Sequence, residues 1–74
     1  MASIVLRIRL MAGDRLDVTY EDPDTSDTRG LIAHALLTLA DPSGMIETRH
    51  GDRIVVIYGR GVAAIELEPR GAVL

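Results

Sequence analysis

Seventy-four residues with 47% hydrophobic side chains and no cysteine form one domain, residues 1–74, near the lower size limit for a self-sufficient core. That composition excludes a disordered chain, a disulfide framework and a thiolate metal site. The net charge of −3 argues against a generic nucleic-acid binder, whose affinity rests on neutralising phosphates.

The aromatic residues are Tyr20 and Tyr58 alone, so the core is built from Ile, Leu, Val and Ala. All eight basic residues are Arg. Codon usage in a GC-rich genome accounts for this and points to a high-GC bacterium or one of its phages. The opening segment, MASIVLRIRLM, is interrupted by Arg7 and Arg9 and has no continuous apolar region of the kind a secretion signal needs. No run is long enough to span a membrane, and the expected location is the cytoplasm.

Residues 3–11 alternate. Ile4, Leu6, Ile8 and Leu10 fall on one side, and Val5, Arg7, Arg9 and Met11 on the other, the period of a half-buried strand. Residues 15–21 alternate too, with Leu16, Val18 and Tyr20 on the apolar side. Matching the apolar faces pairs Leu10 with Leu16, Ile8 with Val18 and Leu6 with Tyr20. It also sets Arg9 opposite Asp17, a favourable cross-strand charge pair, and leaves Ala12-Gly13-Asp14 as a three-residue loop.

Pro23 stops the second strand. Asp24, Thr25 or Ser26 is expected to cap a helix, with the acidic run suited to its positive end. The helix is predicted to run to about Ala40, where DPSG ends it. At 100° per residue, Ile32, Ala35, Leu36, Leu39 and Ala40 share one face. Gly30, His34, Leu37 and Thr38 lie opposite. The segment VLRIRLMAGDRLDVTY and the helix after it resemble the ββα start of a ubiquitin-like β-grasp, over about half the chain. The resemblance implies that fold as an alternative. The last residues read RGAVL instead of the Gly-Gly that conjugation requires.

The remainder reads as a three-strand meander. Residues 45–49 lead into a II′ turn at Gly51-Asp52. Residues 53–58 lead through Gly59-Arg60-Gly61 into residues 62–68, and Pro69 ends that strand. The two expected registers set Ile46 opposite Ile57, Thr48 opposite Val55, Ile57 opposite Ala63 and Val55 opposite Ile65. The predicted fold is therefore α+β: a ββαβββ domain with one helix across one face of a largely antiparallel five-stranded sheet.

Gly59-Arg60-Gly61 with Ala64 matches G-x-G-x-x-A after a strand. A dinucleotide unit needs a helix next, then a second strand and an acidic residue about 20 positions on, and here Pro69 interrupts the chain eight residues after Gly61. The glycines are read as hairpin residues with positive φ that leave Arg60 at the tip. His34 and His50 stand in no nucleophile motif, and His50 reads as a solvated loop residue. Glu21, Asp22, Asp24 and Asp27 match no EF-hand spacing and read as capping groups. No catalytic, cofactor-binding or metal-ligating residue is assigned. Arg7, Arg9, Arg15, Arg49 and Arg53 are expected on the outer sheet face, interspersed with Asp17 and Glu47 and without the aromatics that nucleic-acid stacking uses.

The outer face also carries Ile54, Val56, Tyr58, Val62 and Ala64, with Met45 nearby. An exposed apolar patch of that kind marks an interface. The final residues, Ala72, Val73 and Leu74, either fold over it or add to a sheet edge. The leading expectation is a non-catalytic protein-interaction module: a small cytoplasmic regulator or accessory factor, such as a phage product that modulates a host protein. It self-associates through its sheet, a dimer being favoured. The interface is expected at Ile54, Val56, Tyr58, Val62, Ala64, Val73 and Leu74, with a secondary surface at His34, Leu37 and Thr38. Two alternatives are a nucleic-acid accessory protein using the Arg-bearing face, and a ligand-binding or enzymatic subunit whose site forms at an oligomer interface near His34.

Overall fold

The computed structural model describes residues 1–74. Strands β1 (Ala2–Leu10) and β2 (Arg15–Asp22) precede helix α1 (Thr28–Ala40). Strands β3 (Met45–His50), β4 (Arg53–Tyr58) and β5 (Val62–Leu67) come after it, with a single 3₁₀ turn at Gly59–Gly61 between the last two. The order ββαβββ and the antiparallel five-stranded sheet are those expected from the periodicity.

The sheet order is β4-β3-β2-β1-β5. This corrects the meander. β3 and β4 form the expected hairpin, with Ile46 opposite Ile57 and Thr48 opposite Val55, and Gly51 at φ 63 as a primed two-residue turn requires. β5, however, leaves β4 and pairs antiparallel with β1 at the far edge, Ile8 facing Ile65 and Arg7 facing Glu66. The likeness to a ubiquitin-like start extends only to the ββα order.

This topology curls the sheet. Four inter-strand gaps of about 4.8 Å would hold the edges of a flat sheet about 19 Å apart. The link from Tyr58 to Val62 reaches about 14 Å at most, even fully extended. The C-terminal end of β4 must therefore bend toward the start of β5. Gly59 and Gly61 do not have positive φ, so they are not hairpin residues. Gly59 is needed for close approach. A Cβ there would lie 2.6 Å from the Leu39 carbonyl oxygen and still closer to that of Asp41, because the turn lies against the end of α1. Its N–H donates to the Gly44 carbonyl at 2.8 Å, and the Arg60 N–H donates to the Pro42 carbonyl at 3.2 Å.

The β1–β2 register also differs from expectation by two residues. Ile8 faces Leu16, Leu6 faces Val18, Ile4 faces Tyr20 and Arg7 faces Asp17. Gly13 is the cause. It adopts φ 101, the left-handed region that the last position of a three-residue loop favours. The Leu10 N–H donates to Asp14 at 2.8 Å and closes the loop over Met11-Ala12-Gly13. A two-residue shift preserves the side-chain parity, so the core face is unchanged.

That face holds Ile4, Leu6, Ile8, Val18, Ile46 and Ile57, capped by Leu31, Ala35 and Leu39 of α1, all buried. Buried Thr48 donates its hydroxyl to the Val55 carbonyl at 2.7 Å, satisfying it within the strand pair. The helix face is rotated from the expected one. Leu31 is buried, while Leu36 and Ala40 are exposed. The cap is Asp27, one residue beyond the three candidates, and its carboxylate accepts from the Arg29 N–H at 3.1 Å.

Candidate interaction surface

The outer sheet face divides into two zones. Its centre is ionic. The Arg7 guanidinium grips Asp17 with two bonds, Nε to Oδ1 at 2.8 Å and Nη2 to Oδ2 at 3.1 Å, and reaches Glu66 on β5 at 3.2 Å. This bidentate pairing holds the Asp17 carboxyl at a pKa of about 2, with help from the Val73 N–H, and raises that of Arg7. The chain end lies across this zone. The Val73 N–H donates to Asp17 Oδ2 at 3.0 Å, and the Arg70 carbonyl accepts from Arg7 at 3.4 Å. Val73 therefore lies with the ionic centre instead of joining the apolar patch.

Arg7, Arg9, Arg15 and Arg49 lie on the outer face, as expected from the sequence, but they do not form an unbroken basic surface. Arg7 is neutralised, Arg9 faces Arg15 instead of Asp17, and Arg49 faces Thr19. Arg53 sits opposite His50 at the hairpin end, on the core-facing side by parity. His50 is a half-buried strand residue, not a solvated one. Its Nδ1 lies 2.8 Å from the Asp17 carbonyl, an acceptor only, so Nδ1 carries the proton. The acidic run serves local geometry. Asp22 accepts from the Asp24 N–H at 2.9 Å, and Asp27 caps the helix.

The second zone is apolar and lies at the β4 edge. Ile54, Val56 and Tyr58 project outward from alternate positions, with Met45 opposite Tyr58 on β3. Ile54 is 63% exposed and Met45 58%. The Arg60 guanidinium lies 4.7 Å from the Tyr58 ring centroid, a cation–π contact that closes one end of the strip. Along the same edge runs an open cleft of about 340 Å³, lined by Leu10, Leu16, Val55 and Ile57 together with Val56 and Tyr58 of the strip.

Val62 and Ala64 do not belong to this strip. β5 carries an extra residue against β1 at the shift between Arg9 and Leu10. This bulge reverses the alternation, so Val62 packs against the core beside Ile65. Ala64 faces outward, but on the opposite edge strand. On α1, Leu37 is 75% exposed, Thr38 is half-buried, and exposed His34 stacks on Tyr20 at 6.4 Å. Burial raises the Tyr20 phenol pKa. The odd spacing of Val62 and Ile65 is the sequence signal that identifies the bulge. The tail contacts on Asp17 have no such signal.

The chain has no match among protein-family models, curated proteins or solved structures. No helix is long and apolar enough to cross a membrane.

Proposed function

We propose that this protein is a non-catalytic protein-interaction module, a small regulator or accessory factor that self-associates through its sheet. The observation that supports the reading is the strip of Met45, Ile54, Val56 and Tyr58, four large apolar side chains exposed together on adjacent strands. Scattered exposed apolar residues need no explanation, whereas a contiguous strip marks a contact surface. A domain of this size also gains stability from association that its own core does not supply.

The test is the mass in solution at micromolar concentration, measured by light scattering. The reading predicts at least two chains per particle for the native protein and one chain for Val56→Asp, which places a carboxylate in the strip. A native mass of one chain contradicts it.

A further inference from the structure

We infer that two copies of this chain join by antiparallel pairing of β4 with β4 across a two-fold axis centred on Val56, forming one continuous sheet. The inference rests on the self-association proposed above and specifies its geometry.

β4 is an edge strand, and its hydrogen-bonding phase is determined. The Gly59 N–H donates to the Gly44 carbonyl, and a two-residue turn closes the hairpin at His50 and Arg53. In an antiparallel pair the inward-bonded positions alternate. Val55 and Ile57 therefore bond to β3, and the backbone N–H and C=O groups of Ile54, Val56 and Tyr58 point out of the sheet. These residues also carry the exposed apolar side chains.

The two edges of the sheet differ. β5 has a bulge, Glu66 held by Arg7, and Pro69 just beyond its end, all devices that block edge pairing. β4 reads RIVVIY, with no charge or proline between Arg53 and its last residue. An unprotected apolar edge beside a protected one identifies β4 as the strand built to pair.

The second copy is selected by self-complementarity. A two-fold axis at Val56 sets Val56 opposite Val56 of the second copy and Ile54 opposite Tyr58, twice. All three open positions are then used, giving six backbone hydrogen bonds. Moving the axis to any other residue leaves some of them unpaired. The same axis brings Asp52 to the level of Arg60 in the second copy, twice. Both residues are exposed, so the ends of the paired strands are complementary in charge. The outer strips meet on one side of the sheet because paired residues share a face.

The test is disulfide trapping, which the absence of native cysteine makes clean. Paired Cα atoms at such a position lie about 5.5 Å apart, within disulfide reach. Under mild oxidation Val56→Cys is expected to give a covalent dimer, while Ala64→Cys on the other edge stays uncoupled. Asp52→Arg is expected to weaken dimerisation about tenfold, and the double variant D52R/R60D to restore it. A native dimer in which Val56→Cys does not couple, or in which Ala64→Cys couples instead, overturns this geometry and leaves self-association standing. A native mass of one chain overturns both. Failure of the double charge swap to restore dimerisation also counts against the Val56-centred axis.

Discussion

The tripeptide Gly59-Arg60-Gly61 contains two glycines with opposite expected sensitivities. In Gly59→Ala the new Cβ would lie 2.6 Å from the Leu39 carbonyl oxygen and closer still to that of Asp41. Ordinary contact is about 3.5 Å, so the turn must retreat by about 1 Å from the end of α1. Two hydrogen bonds anchor it there, Gly59 to Gly44 at 2.8 Å and Arg60 to Pro42 at 3.2 Å. Their loss costs about 1 kcal/mol each, and the steric strain adds about 1–2 kcal/mol. The expected destabilisation is about 3–4 kcal/mol, a large share of the roughly 5–15 kcal/mol that holds a domain folded. Gly61→Ala meets nothing within 4 Å and is expected to be neutral or slightly stabilising through the unfolded chain, by up to about 0.5–1 kcal/mol. Urea unfolding followed by circular dichroism separates them. With a slope near 1 kcal/mol/M, Gly59→Ala lowers the midpoint by about 3 M or leaves the chain unfolded in water. Equal midpoints for the two variants would refute the close-approach account of Gly59.

Ile8→Ala removes a side chain with no exposed surface from beneath Leu16 and Ile65, and is expected to cost about 3–4 kcal/mol in the same assay. Leu37→Ala, at 75% exposed, should stay within about 0.5 kcal/mol of the native protein. Asp17 supplies a pH dependence. Its folded pKa of about 2 lies below the ordinary carboxylate value of 3.8, so its contribution is present above about pH 4 and is lost as pH falls toward 2. Asp17→Asn should flatten that acid limb of the stability profile in acid titrations monitored by circular dichroism. An unchanged limb would mean that the Arg7 pairing is not maintained in solution.

Much of the local structure was legible from side-chain periodicity. The alternation of residues 3–11 and 15–21 located β1 and β2 and their buried face, because burying a sheet face imposes period 2. Gly51-Asp52 located the β3–β4 turn and its register, since few residues other than glycine accept the required φ. The β1–β2 register differs by two from the one that charge pairing and apolar matching suggest, because both criteria fit either alignment. The preference of Gly13 for the last loop position decided it. The partner of β5 was not legible. VAAIELE alternates well enough to pair with β4 or β1, and the contact between Ile8 and Ile65 depends on how the whole sheet curls. Three members of the expected interface, Ile54, Val56 and Tyr58, stay together because they lie on one strand. Ala64 and Val73 depart from them because β5 pairs with β1 at the other edge, and Val62 because the bulge turns it toward the core.

Backbone amide exchange measured against protein concentration tests the β4 pairing most directly. Val55 and Ile57 bond to β3 in every state and should be protected at all concentrations. The amides of Ile54, Val56 and Tyr58 are open in a single chain and closed in the proposed pair. Protection of these three that rises with concentration is the predicted result. Fast exchange at all three in a sample whose mass is two chains would contradict the account.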